Sequence, residues 1–591
     1  MNFSRREFAA LLAAARALGA QNSANSEQPN DEIMQALIEE LERSKSLKLS
    51  NLPSPYFIEY ALDDTYSLSV SCVLGALISS NAAKSRLPRV QLRVGSNEFD
   101  NSNYVFSQLF GGRMGGGRIP LEAGPIVMRR EFWLATDRAY KGALQAIARK
   151  RAALQNVTQQ EKLNDFAKAE PVRYIEPKQA IQIDQAAWTA RTRRISSVFS
   201  RFPDVLNSGV EFSAGFATSY LANTDGAAYR ISDNLFSLRL RADGQAANGM
   251  PIHDAVVYAG RNLADLPSEE VMTKGAEEIA ANVSALLKAP AAEDYSGPVL
   301  FEGIASPQLF VQLLGAQLAP IRKPVSEPGR PVPMSSSELE GRMGSRILPE
   351  WMDAVDDPTQ STYKGHALFG SYPVDAEGIK PMPLKVIEKG TLKHFLLGRT
   401  PIRGFEGSNG RARLPGPFGG SMATFSNLFV KANQTVSREE LRKKLIEMVQ
   451  QRSKPYGLII RKLDLPVTAS AQELRTLSQA SGQRGGGPIV SLPILVYKVY
   501  PDGREELVRG LRFRGVNARS LRDIFAAADD EVIFDYIGQG GTLATLSPSG
   551  YVSTHTVCSP SILFEDLELE KRTDDWPNLP LVPPPALTSK L

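Results

Sequence analysis

Between Gly341 and Leu567 the chain is cut into short β-rich runs by turn residues, most clearly at Asp375-Ala-Glu-Gly378, Glu388-Lys-Gly390 and Pro501-Asp-Gly503. Punctuation this frequent leaves no room for long helices, so this half must fold as sheets. Two segments break the pattern and are predicted as helices: Ser437 to Arg452, where Ser437 and Glu440 form a capping box, and Ser520 to Ala528. The first half is mixed. Asp31 caps a predicted helix with Ile33, Met34, Leu37, Ile38 and Leu41 on one apolar stripe. Three strand-like runs follow, Tyr56 to Leu62, Tyr66 to Ser79 and Arg89 to Val94. A long helix is expected from about Phe132 to Gln155, a hairpin around Asn223-Thr-Asp-Gly226, and a helix from Ser268 to about Lys288. The expected class is α+β. An N-terminal α/β domain over residues 31–290, with a sheet and long helices, precedes a mostly β C-terminal domain over residues 291–571. The proline-rich tail, residues 572–591, reads as a packed or disordered extension.

Composition narrows the function. With 591 residues, 42% hydrophobic and 22% charged, the chain is of ordinary globular make-up. A formal net charge of +4 with interspersed signs argues against a nucleic-acid groove. Two cysteines, Cys72 and Cys558, cannot make a disulfide framework, and the four histidines, His253, His366, His394 and His555, are too scattered for a zinc motif. The glycine cluster from Gly111 to Gly117 lacks the Lys-Ser/Thr of a phosphate loop. At the N-terminus, Ser4-Arg5-Arg6-Glu7-Phe8 and the Ala/Leu run after it are similar to a twin-arginine signal over residues 1–30, with export to the periplasm as the expectation. The alternative is an amphipathic surface helix on a cytoplasmic protein.

One acidic group stands out. Asp356, Asp357, Asp375 and Glu377 flank a predicted hairpin, with His366 and His394 near in sequence, and together they form the candidate cleft. Paired carboxylates can activate water or hold a hard cation. The competing reading, which we favour, is that Asp-Asp-Pro and Asp-Ala-Glu-Gly are simply turn formers. Ser421 in GGSMA lacks a GxSxG elbow. The proline-containing stretch from Pro320 to Ser337 is expected as a loop, either a lid or a subunit contact.

The segment from Gly341 to Arg399, with Ser426-Asn427-Leu428, Leu495 to Arg504, Leu507 to Gly510 and Cys558 to Leu567, resembles the TldD/PmbA family of metalloprotease-like proteins. The likeness runs over roughly residues 205–570. It implies peptide processing by strand-like pairing with unstructured peptides. Metal-binding members carry an HExxxH helix shortly upstream, and here that stretch is Pro298 to Gln317. Anchored on Gly315, the family's two histidines fall on Val311 and Ala316 and its glutamate on Gln312, none of which can serve zinc. No histidine lies between His253 and His366, so the deficit does not depend on alignment. Cys558, near the position of a family cysteine ligand, reads as a buried thiol. The resemblance therefore implies a TldE/PmbA-like member with no catalytic residue and no cofactor of its own. Zinc would reside in a TldD-like partner of a heterodimer or larger assembly acting on unstructured peptides, with no nucleic acid bound. The alternative is an exported, non-catalytic peptide-binding or scaffold protein of the same fold. Retained metallopeptidase activity through other ligands ranks third.

Overall fold

The computed structural model describes residues 31–49, 51–105, 118–155, 162–180, 182–326, 337–415, 421–465, 490–539, 552–573 and 576. The twin-arginine stretch, the Gly111–Gly117 cluster, residues 327–336 of the Pro320–Ser337 loop and most of the tail lie outside them.

The N-terminal half is built on a six-stranded sheet of unusually long strands. Helix α1 (Glu32–Lys45) is followed by β1 (Pro55–Val73), β2 (Ala76–Val94) and α2 (Pro125–Leu154). Then come β3 (Arg173–Ile175), α3 (Gln185–Ser197), β4 (Asn207–Asn223), β5 (Ala228–Gln245), β6 (Pro251–Gly260) and α4 (Glu269–Lys288). Strand order is β2-β1-β4-β5, with β3 and β6 both paired to β5. At about 3.3 Å per residue, a strand of this length spans roughly 60 Å. Side chains alternate between faces, and even-numbered positions of β1 carry the core. Ile58, Tyr60 and Leu62 pack under α1 and α2, whereas Leu68, Val70 and Cys72 pack under α3 and α4. All four helices therefore cover one face of the sheet. Local signals set their starts: the Asp31 carboxylate accepts from Met34 N–H, and the Ser268 hydroxyl from Val271 N–H.

The C-terminal half is two sheets around one buried helix. Strand β7 (Tyr295–Phe301) leads into α5 (Ala305–Leu313), then β8 (Met352–Asp356), β9 (Leu384–Glu388), β10 (Thr391–Leu392) and β11 (Asn427–Ala432). Helix α6 (Arg438–Gln451) precedes β12 (Gly457–Leu463), β13 (Pro493–Val499), β14 (Glu505–Val508) and β15 (Leu511–Arg514). The chain continues with β16 (Ile524–Ala527), β17 (Val532–Gln539), β18 (Val552–Ser559) and β19 (Ile562–Lys571). One sheet has the order β10-β9-β8-β11-β18-β17 and the other β14-β13-β12-β7-β19-β15, with β16 added on β19. Leu309, Phe310, Val311 and Leu313 of α5 fill the space between them, against Val299 and Phe301 on one side and Ala354, Leu428 and Val557 on the other. The two-residue period holds up to the bulges after Ile460 and Phe564. Leu300, Ile459 and Leu563, one residue out of phase, instead hold α6 through Leu441, Leu445 and Met448 on the outer face.

The two halves are clamped together by buried charge. Arg399, 2% exposed, donates to Asp225 at 2.6 Å and stacks over Phe166 at 3.9 Å. Lys462 pairs with the fully buried Asp254 at 2.6 Å.

Three sequence expectations need correction. The runs beginning at Tyr56, Tyr66 and Arg89 are two strands, not three, because pairing with β1 holds the polar stretch around Asn81–Lys84 extended. Pro88 is tolerated since β2 is an edge strand, where a missing N–H costs no ladder bond. The helix expected from Ser520 is a short 3-10 turn, Ala518–Asp523, followed by β16, because Ile524 and Ala527 pair with Phe564 and Ile562 of β19. The long helix starts at Pro125, earlier than expected, with proline in its first turn.

Candidate functional site

The face of the first sheet not covered by helices forms one wall of a cavity of about 360 Å³. Three rungs of the ladder make that wall: Asp63 beside Ser219 and Ile231, Thr65 beside Ala217 and Asp233, and Ser67 beside Gly215 and Leu235. Small side chains on the two central strands leave a trough between the larger flanks. The opposite wall comes from the C-terminal half: residues 372–376, Arg413 and Thr554, with Arg261 at the end of β6 joining them. No histidine or cysteine is among the described residues that line it.

Of the charged residues that line it, Arg261 and Arg413 share one acceptor. Arg413 donates from Nη1 to the Thr554 carbonyl at 2.6 Å and the Phe425 carbonyl at 3.3 Å, and from Nη2 to Thr554 Oγ1 at 3.1 Å. Arg261 donates to the same hydroxyl at 2.9 Å and to the Phe369 carbonyl at 3.0 Å. Burial, and to a lesser degree the neighbouring Arg261 charge, lower the Arg413 pKa from its ordinary value. Asp375, also on the wall, is pushed well above the usual carboxylate range, first by burial and then by Glu377, against the pull of backbone N–H donors at Ile379, Glu377 and Ala412. Three carboxylates, Asp63, Asp233 and Asp375, also line the cavity. It offers donors and positive charge but no neutral imidazole or thiolate.

The HExxxH-equivalent stretch lies elsewhere, in the core. Val311 is 3% exposed among the apolar residues between the sheets. Gln312 donates to the Gln308 carbonyl at 3.0 Å and accepts from Ser491 N–H at 2.7 Å. Ala316 sits in the 3-10 turn after α5. A methyl, an amide already bonded and an isopropyl group do not fit zinc, which needs imidazole, thiolate or carboxylate donors. Among the described residues no group of three or more His, Cys, Asp and Glu converges as a metal site. Cys558 packs with Leu368 and Phe429, and burial, ahead of the Glu531 charge, pushes its thiol up to about 12. His555 is buried behind the cavity wall, stacked on Phe425 at 4.1 Å, with Nδ1 2.7 Å from the Phe425 carbonyl and Nε2 2.6 Å from Ser553 Oγ. Burial, then Arg413, hold its pKa well below the ordinary value.

The six candidate cleft residues are split among separate places. Asp356, fully buried, accepts from Arg411 Nε at 2.6 Å and from Ser426 N–H at 2.6 Å. Asp357 closes a turn by accepting from Thr359 N–H at 2.9 Å. Asp375 and Glu377 lie close together, where Asp375 accepts from Glu377 N–H at 2.9 Å and Glu377 accepts from Arg399 N–H at 2.7 Å. His366 is on a surface ribbon 2.7 Å from Asp535, whose hydrogen bond raises its pKa, and His394 is exposed after β10. Only Asp375 lines the cavity. Sequence reasoning missed Arg261, Arg413 and Thr554. The one trace was the Arg/Gly/Pro loop GRARLPGPFGG, which holds Arg413 but says nothing of its neighbours.

Residues 298–463 match the model of the PmbA/TldA metallopeptidase C-terminal domain. A protein named Metalloprotease from Archaeoglobus fulgidus is 33% identical over 78 residues, 13% of this chain and 17% of that protein, so the chain spans under a fifth of that relative's length. The structure of TldE from Thermococcus kodakarensis superposes with a TM-score of 0.54 at 14% identity, covering 91% of this chain and 100% of that one. A proposed modulator of a DNA gyrase from Thermotoga maritima gives a TM-score of 0.52 at 17% identity, covering 87% and 96%. At these identities the likeness to solved structures establishes the fold. The chain thus carries a PmbA/TldA metallopeptidase C-terminal domain at residues 298–463, set within a TldE-like fold.

Proposed function

We propose that the chain is the non-zinc, TldE-like subunit of a peptide-processing assembly, paired with a zinc-carrying metalloprotease homologue and presenting binding surface to an unstructured peptide. One observation carries this reading. The family's sheets and buried helix are kept, while the metal positions hold Val311, Gln312 and Ala316, tied into packing and hydrogen bonds of their own. A subunit whose duty is shape and peptide pairing keeps the scaffold and has no need of the ligands. The test is affinity purification of the full chain from its native cell, with mass spectrometry and zinc quantitation on the same sample. The expected result is a stoichiometric partner with an intact HExxxH helix, zinc that follows the partner, and a zinc-free isolated chain. Stoichiometric zinc on the isolated chain, with peptidase turnover abolished by a chelator, would overturn it. So would a homodimer with chelator-resistant peptidase activity.

A further inference from the structure

Among the described residues, the buried guanidinium groups elsewhere each face a carboxylate. Arg93 meets Asp100, Arg399 meets Asp225 and Arg411 meets Asp356, all at 2.6 Å. Desolvating a cation is costly, and an opposed carboxylate is the usual compensation. The cavity arginines break this pattern. Among the described residues Arg413 has only carbonyl and hydroxyl oxygens as acceptors, with the Tyr372 ring 4.7 Å from its guanidinium carbon. The Arg261 side chain also bonds neutral oxygens, and the carboxylate nearest its guanidinium is Asp233 at 3.9 Å, mostly exposed at the edge of the same cavity. The two side chains are drawn to one hydroxyl, Thr554 Oγ1, and their charges repel. Two like charges held together at a cavity wall are stabilised when an anion enters between them.

We infer that this cavity is a carboxylate-binding site, in which Arg261 and Arg413 hold the acidic side chain of an extended peptide. The peptide part of this assignment rests on the function proposed above, whereas the carboxylate part stands on the arginine pair alone. The rest of the cavity fits such a ligand. Its volume of about 360 Å³ accommodates a side chain with adjoining backbone. Ile231 and Leu235 on the sheet wall offer apolar contact for flanking residues, and the exposed Lys84 and Arg118 at the rim draw in negative charge. The planar guanidinium fork matches a carboxylate with two parallel hydrogen bonds.

The test uses the purified full chain and two pairs of probes differing only in charge. The first pair is N-acetylglutamate α-amide and N-acetylglutamine α-amide, followed by saturation-transfer NMR. The second is an acetylated, amidated heptapeptide of alanine and valine with a central Glu or Gln, followed by calorimetry. The expected result is at least a tenfold preference for the charged member of each pair. Arg413→Gln and Arg261→Gln should each abolish it, and Lys84→Glu, on the exposed rim, should reduce it several-fold. Melting curves accompany each variant, and if Arg413→Gln does not fold, Arg261→Gln and Lys84→Glu decide the question. Equal binding of charged and neutral probes, or a preference unchanged in the arginine variants, overturns the assignment. If the glutamate amide binds selectively but neither peptide binds, the carboxylate site stands and the peptide reading falls. If both peptides bind equally, the peptide reading stands and the carboxylate site falls.

Discussion

Replacing Asp356 by Asn removes a charge and turns Oδ2, the acceptor for Arg411 Nε–H at 2.6 Å, into an NH2 donor. Its Oδ1 still accepts from Ser426 N–H, so the backbone contact at 2.6 Å survives. What is lost is the counter-charge to Arg411 and the acceptor of its Nε–H, in a pair whose two side chains are both 0% exposed. Arg411 remains fixed by the carbonyls of Asn409 at 2.6 Å and Met382 at 2.6 Å, so it cannot swing out to water. Breaking a buried ion pair on one side costs about 3–5 kcal/mol, because the remaining charge is uncompensated. A domain of this size loses roughly 2–3 °C of melting temperature per kcal/mol, so the transition of the C-terminal half should fall by roughly 6–15 °C. Adding Arg411→Met removes the stranded cation, and the double variant should therefore melt above Asp356→Asn alone. Differential scanning calorimetry of the wild type, both single variants and the double variant gives the coupling directly. A melting point for Asp356→Asn within about 2 °C of wild type, accompanied by loss of peptide binding, would refute the structural role and return this carboxylate to the candidate functional residues.

Other changes probe other links. His555 is held well below its ordinary pKa, so below about pH 6.5 the unfolded chain takes up a proton that the folded chain refuses, and stability falls with pH. The His555→Gln variant should lose less stability than wild type between pH 7.5 and 5.5, by up to about 1.4 kcal/mol per pH unit, and urea midpoints that shift equally in both would count against this. At Gly315 an added Cβ would fall 2.8 Å from Cε1 of Phe425, a ring already stacked on His555, so Gly315→Ala should cost about 1–3 kcal/mol by overpacking, read from the urea midpoint. Ser437→Ala removes the acceptor for Glu440 N–H at 3.1 Å and should cost about 1 kcal/mol, seen as faster amide exchange in the first turn of α6.

Local signals in the sequence reached as far as neighbouring residues act on one another. The caps at Asp31, Ser268 and Ser437 start helices α1, α4 and α6 where the sequence places them. Asn223-Thr-Asp-Gly226 turns the chain between β4 and β5, with Gly226 at φ 100°, a conformation that glycine adopts without strain. The lack of imidazole near Gly315 was equally legible, since missing histidines need no fold to be counted. The strand at Ile524–Ala527 was not, because its pairing with β19 outweighs its own helical pattern.

The sequence by itself determined the starts of α1, α4 and α6, the hairpin turns, the α+β class and the absence of histidine from residues 298–317, all properties of residue type over short stretches. Tertiary structure alone decided that Asp356 and Arg411 neutralise each other in the core while Arg261 and Arg413 meet at an open wall with Thr554 between them. The reason is geometric. Which guanidinium finds a carboxylate depends on where separate strands bring their side chains, and that is set by sheet register and by the docking of the two halves.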